Sequence, residues 1–311
     1  MLFAGILFSI FGVMGGDLLP KKGYLFRMNF GNRYLSPFTF AHQKNKPVRF
    51  RLTFVFVCVA ALAGFAQTPS PYHLTWKKEL AFYGTGLTTF ATGAWLRGRT
   101  PVFTADELTG FRQSDVNGFD QAAFDYFSPE SHRASNVLWY GSVGMPLLLL
   151  TKKGPRADFM KMGWMWSETL FITGGLTLLS KYSVRRARPY VYDENTDLSK
   201  KTTVNAKASF FSGHTSMTAA NAYFAATVFS DYYPESKWKP VVWGVAVTLP
   251  AVTGYLRVRG GRHFPTDVLA GYAVGALVGW GIPRLHRAPA GHHSNVRLSG
   301  GWNSLAVQIT W

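Results

Sequence analysis

Six apolar or semi-apolar stretches, near 79–96, 136–151, 163–180, 214–230, 240–256 and 267–285, succeed one another along the chain with polar loops between them. Each is roughly 16 to 20 residues long, close to what one helical passage through a bilayer needs. They are rich in Gly, Ala, Ser and Thr and interrupted by few charges, a composition that lets helices pack closely through small residues. The pattern predicts an all-α, multi-helix bundle, membrane-embedded with five or six apolar helices. A soluble bundle with buried helices is the competing reading, because only the runs near 137–150 and 240–256 are strongly apolar. After Pro283 the character changes: Val296 and Leu298, then Leu305, Val307, Ile309 and Trp311, alternate with polar residues about Gly300–Gly301. That period of two predicts a short C-terminal β-hairpin.

The stretch RFRLTFVFVCVAALAGFA, residues 49–66, joins a basic entry (Arg49, Arg51) to an apolar run and a small-residue exit (Ala63, Ala66). It reads as a secretory signal cleaved near Ala66–Gln67; a retained first membrane anchor is the alternative. The expected organisation is then a leader over 1–66, an N-terminal helix and lid-like loop over 67–134, a catalytic core over 135–285, and a tail with the hairpin over 286–311. The 33 Lys and Arg exceed 16 Asp and Glu, and without residues 1–66 the chain still holds 25 against 15. Such a balance points to nucleic acid, anionic lipid or a phosphorylated substrate. Cys58, the one cysteine, lies inside the leader, which leaves no disulfide, Cys-ligated zinc or thiol nucleophile beyond it.

Three polar clusters sit at ends of the apolar stretches. KYSVRRARPY, Lys181 to Tyr190, closes the third with Lys181, Arg185, Arg186 and Arg188 before Pro189. Alone, such a run is an interfacial anchor whose cations reach lipid phosphates. FSGHTS, Phe211 to Ser216, opens the fourth. Ser212 and Gly213 can offer a hydroxyl and a closely approaching amide at a helix N-terminus, where an anion is favoured, and His214 adds a titratable group. YLRVRGGRHFPTDVLAG, Tyr255 to Gly271, joins the fifth and sixth. There Asp267, four residues after His263, can reach back to one imidazole nitrogen, while Arg257 supplies a fixed cation. Taken singly, each has a bland reading as anchor or helix cap. The connectivity, however, puts all three on one side of the bundle, as a convergent site for a phosphate.

Lys181, six residues, then Arg188–Pro189; Ser212–Gly213–His214; and Arg257, five residues, His263, three residues, Asp267 together resemble the three-part signature of the type 2 phosphatidic acid phosphatase superfamily, which also includes soluble bacterial acid phosphatases and vanadium haloperoxidases. The likeness covers about 135 to 285. Phe211 stands where that family usually has Pro, and Leu256 where it usually has Ser. The resemblance implies a phosphoric monoester hydrolase in which His263 is the nucleophile, Asp267 orients it, and His214 protonates the leaving oxygen and then activates water. Lys181, Arg188, Ser212, Gly213 and Arg257 would bind the phosphate. Their preset charge and donors neutralise the anion, so no metal or cofactor is expected. Arg185 and Arg186 are left to meet lipid headgroups or a second phosphate.

The expected function is a metal-independent phosphatase acting on a lipid phosphate or diphosphate through a phosphohistidine, in a bacterial envelope, with the membrane and a phosphorylated lipid as partners and no nucleic acid. A soluble-type nonspecific acid phosphatase, a vanadium haloperoxidase-like enzyme and a non-catalytic anionic-lipid binding protein are the alternatives. With a cleaved signal, six spans would put the clusters in the cytoplasm. An inner-membrane protein with a periplasm-facing site is favoured instead, with 79–96 not fully crossing.

Overall fold

The computed structural model describes residues 70–288, 295–301 and 304–310; the expected leader lies outside them. Six long helices form the bundle: α1 (Trp76–Gly98), α2 (Pro129–Ser142), α3 (Phe159–Val184), α4 (Gly213–Tyr232), α5 (Lys239–Arg259) and α6 (Pro265–Leu285). Shorter helices and turns fill the connections. The apolar stretch expected over 136–151 is not one helix. It begins at Pro129, stops at Ser142, and resumes as Gly144–Leu149. Pro146 explains the break, because its ring lacks an N–H and clashes with the carbonyl four residues back, that of Ser142.

Helix α4 is the centre of the molecule. Its sequence, GHTSMTAANAYFAATVFSDY, is small-residued all round, and fifteen of its residues are buried. A helix apolar on every face belongs inside, and small side chains let neighbours close in from several directions. Polar groups within this interior pair across helices: Asn221 accepts from Trp166 Nε1 at 2.9 Å and donates to Ser142 Oγ at 3.1 Å, and Thr177 and Ser216 hydroxyls meet at 3.1 Å. Such bonds tie helices together where no water competes.

Close approach has an evident sequence cause. On α6, Gly271, Gly275 and Gly279 recur every fourth residue and face α4; a Cβ on Gly271 would stand 2.6 Å from the Ser212 carbonyl oxygen, and those on the other two would strike the carbonyls of Ser216 and Ala220. On α1, a Cβ at Gly93 would stand 2.6 Å from Leu179 N of α3.

Contacts along α1 run from Glu79, beside Glu168 and His286, to Gly93, on Leu178 and Leu179. Helix α1 therefore lies along the length of α3. Passage follows passage in alternating direction, so that the exit of α3, the start of α4 and the α5–α6 turn all lie at one end. Tyr72 bridges to Arg287 at the other.

Two helices, α5 and α6, are long and apolar enough to cross a membrane by length and composition, fewer than the five or six expected. The shortfall has a physical reason. Helices α3 and α4 carry polar residues on buried faces, Thr173, Thr177, Ser216 and Asn221 among them, and these lower the mean hydropathy of both. Outward faces are apolar nonetheless: Trp76, Leu80, Leu87 and Trp95 on α1, Val241, Val245 and Val252 on α5, and Leu269, Leu277 and Trp280 on α6 are exposed. Beyond the bundle, Asn295–Gly301 and Ser304–Thr310 pair as antiparallel strands with Gly301 opposite Ser304.

Candidate active site

The first contributions come from the end of α3. Arg185 caps the helix in the left-handed region, φ 53°, its N–H bonded to Lys181 O at 3.0 Å, and the chain doubles back so that Arg186 and Arg188 point inward. Lys181 Nζ donates to Ala208 O at 2.6 Å. Arg188 is buried, its guanidinium held by Asn205 O and Asn205 Oδ1, both at 2.9 Å, and by Arg262 O at 3.0 Å. A planar fork fastened on several sides is a preset cation rather than a mobile one.

Ser212 caps α4, its Oγ 2.9 Å from Thr215 Oγ1 and its N–H bonded to Asp267 O at 2.9 Å. This second bond docks the start of α4 against the start of α6. Gly213 opens the helix, and His214 follows, buried, with Nε2 2.7 Å from Asn136 Oδ1 and its ring 4.4 Å from that of Trp139. An amide oxygen accepts, so His214 Nε2 carries a hydrogen.

From the last turn of α5, Arg257 Nη1 meets His132 Nδ1 at 2.8 Å and donates to Ser135 Oγ at 3.3 Å. His263 is buried in the α5–α6 turn. Its Nε2 stands 3.3 Å from Arg188 Nη1, which can only donate, so Nε2 holds a lone pair and the ring hydrogen sits on Nδ1. Nδ1 faces Asp267 Oδ2 at 3.7 Å, within ion-pair range but too long for a hydrogen bond. The tight His263–Asp267 bond expected from the sequence is thus replaced here by a looser approach. Asp267 is occupied elsewhere: Oδ1 accepts from Arg186 at 2.6 Å, and Oδ2 from Ser209 Oγ at 2.5 Å and Phe264 N at 2.9 Å. Catalytic hydrogen bonds are commonly long before substrate arrives.

Arg186 corrects another expectation. Rather than meeting lipid headgroups, it binds Asp267, Thr266 Oγ1 at 2.8 Å and Asp120 Oδ2 at 2.6 Å, and lies 4.2 Å over the Phe264 ring. Asp120 comes from the connection between α1 and α2, read from sequence as a lid-like loop. It is fully buried and also accepts from Thr266 N, Thr266 Oγ1 and Asn117 Nδ2. Burial pushes its carboxyl upward, but bonds from Arg186, Thr266 and Asn117 outweigh it and hold the group below the ordinary carboxylate range. The connection is pinned to the site.

Burial first, then the cations Arg188, Lys181 and Arg257 and the His214 ring, hold His263 well below the usual histidine range. His263 is therefore neutral at neutral pH, with its lone pair available. The residues singled out from sequence converge, and Asn136, His132, Asp120, Asn205 and Ser209 join them. The one local sign of these partners is that His132 and Asn136 fall four apart at the start of α2, hence on one helix face.

A family model described as the PAP2 superfamily matches residues 164–289. A lipid A 1-phosphatase of Porphyromonas gingivalis is 35% identical over 165 residues, which make up 51% of this chain and 33% of that protein. The match therefore spans about a third of that relative's length. The crystal structure of a transmembrane PAP2-type phosphatidylglycerolphosphate phosphatase from Bacillus subtilis aligns with a TM-score of 0.40 at 20% identity, over 65% of this chain and 95% of that one. The eight catalytic and phosphate-binding positions expected from the sequence all fall inside residues 164–289, the stretch that this family model matches.

Proposed function

We propose that this domain is a phosphatase that removes phosphate from a membrane lipid by way of a phosphohistidine. One observation carries the reading: a neutral, buried His263 whose Nε2 lone pair lies beside the fixed Arg188 fork, among Lys181, Arg257 and His214. Nε2 of His263 attacks phosphorus while the bond to the leaving oxygen breaks. His214, protonated on both ring nitrogens once the phosphate anion is bound, gives that oxygen its Nδ1 proton while Nε2 stays on Asn136. The Nδ1 hydrogen of His263 faces Asp267, whose charge offsets the imidazolium that forms. In the second half His214 takes a proton from water, water attacks phosphorus, and the N–P bond breaks to restore His263 and release phosphate. Lys181, Arg188, Arg257, Ser212 and the Gly213 amide stabilise charge on the non-reacting oxygens. His263→Ala should reduce inorganic phosphate release by at least about 1,000-fold while leaving the thermal midpoint near that of wild type. Near-normal turnover in that variant removes the assigned nucleophile.

The substrate class follows from the surroundings. Exposed Trp, Leu and Val on α1, α5 and α6 suit an acyl environment, and a phosphorylated lipid brings its headgroup to the site from that side. Lipid A carrying a 1-phosphate is the first substrate to test, given the Porphyromonas gingivalis relative, beside phosphatidic acid, phosphatidylglycerol phosphate and a polyprenyl diphosphate. Release from p-nitrophenyl phosphate alone, by protein extracted without detergent, favours the soluble acid phosphatase instead.

The site faces outward in this reading. Lys152, Lys153 and Arg156, between α2 and α3, lie at the opposite end and suit the cytoplasmic face.

A further inference from the structure

At the end of the bundle away from His263, three side chains from three places in the fold meet. Glu79 comes from the first turn of α1, Glu168 from α3, and His286 caps the C-terminus of α6. His286 Nε2 stands 3.1 Å from Glu79 Oε1 and 3.5 Å from Glu168 Oε2, and the three atoms lie within 4.8 Å of one another. Glu168 and His286 are fully buried.

Two independent observations call for positive charge between them. His286 Nδ1 is 2.8 Å from Ile282 O. A carbonyl only accepts, so Nδ1 carries the hydrogen, and in a neutral ring Nε2 turns a lone pair toward two carboxylates. Three acceptors then face one another. Both oxygens of Glu168, moreover, are buried with no hydrogen-bond partner, as is Glu79 Oε2. The basic side chains nearest in sequence are turned elsewhere: Lys78 Nζ donates to Leu285 O, and Arg284 pairs with Asp231 at 3.2 Å. A single proton bridges two acceptors at most. A divalent cation serves all three at once.

We propose that Glu79, Glu168 and His286 bind one divalent first-row transition metal, zinc by first choice, which staples α1, α3 and α6 together. An imidazole among the donors disfavours magnesium and calcium, which prefer oxygen throughout. The separations of 3.1 and 3.5 Å bracket the edge of about 3.3 Å in a tetrahedron with bonds of about 2.0 Å. A backbone carbonyl on the far ring nitrogen is the outer contact that metal-bound histidines use to fix their tautomer. The Glu79 side chain is 20% exposed, which leaves a way in for the ion and room for a water as fourth ligand. Thirteen residues of α3 separate Glu168 from Lys181, about 20 Å of helix, so the metal acts on stability and not on phosphate chemistry.

The test uses the full chain in detergent, stripped with a chelator and dialysed against excess zinc. Wild type is expected to retain about one zinc per chain, with a thermal midpoint that rises on loading and falls again on chelation. Glu168→Gln, nearly isosteric, should lose both the bound zinc and the midpoint response while keeping phosphate release within about twofold at a permissive temperature. Equal zinc and an equal midpoint response in wild type and Glu168→Gln overturn the proposal and leave the cluster to protons. Should Glu168→Gln not fold, cobalt(II)-loaded wild type and Glu79→Gln decide. Four-coordinate visible bands that Glu79→Gln alters support the site, and a spectrum that Glu79→Gln leaves unchanged overturns it.

Discussion

Arg185 and Arg186 stand side by side after α3, yet their side chains have different tasks. Arg185 is exposed, its Nε bonded to Tyr182 O, 3.1 Å away, whereas Arg186 joins Asp267 to Asp120. Arg185→Ala should leave kcat/KM within about threefold of wild type, and Arg186→Ala should lower it by at least about 100-fold, because two buried carboxylates lose their shared partner. Phosphate-release assays of the two variants check this, and equal losses would remove the assigned division. A second prediction concerns the charge around His263. Lys181 is one of the cations that hold its pKa down. Replacing that charge in Lys181→Met raises the pKa, so protonation removes the nucleophilic form at a higher pH. The acid limb of kcat/KM should therefore move upward relative to wild type on the same substrate, besides the loss of rate from missing phosphate contact. An unmoved limb means that another group controls it.

At the scale of elements, the connection between α1 and α2 is anchored by one buried carboxylate, and the site depends on it. Asp120 ties this connection to Arg186 and to the first turn of α6. Its folded pKa is depressed, so its contribution to stability is present above the ordinary Asp value of about 4 and is lost as pH falls through the folded value. Asp120→Asn should cost about 3 kcal/mol at pH 7. Thermal midpoints of the two proteins should converge in acid, where wild-type Asp120 is itself protonated. A gap that stays constant down to strong acid would falsify the charged role and leave only shape.

For the whole molecule, six alternating passages place residues 70 and 286 on the face opposite the site, a consequence of α1 running full length. Trp76 and Trp95 at its two ends are nineteen residues apart, about 28 Å of helix, close to the thickness of a bilayer's hydrocarbon core. Reporter fusions at residues 155 and 200 should report cytoplasm and periplasm respectively. A cytoplasmic signal at 200 reverses the orientation.

The helices and the residues of the candidate site could be picked out in local sequence, since apolar runs and three short motifs each depend on residues close together in the chain. What held those motif residues was not. His214 meets Asn136 across 78 positions, Arg186 reaches Asp267 across 81, and Arg188 meets His263 across 75. Local periodicity says which face of a helix is polar, but not which distant polar group it meets. Only packing around α4 decided that Arg186 points inward, that Asp120 belongs to the site, and that Glu79, Glu168 and His286 share one end of the bundle, because a buried charge is tolerated only where the folded chain brings it a partner.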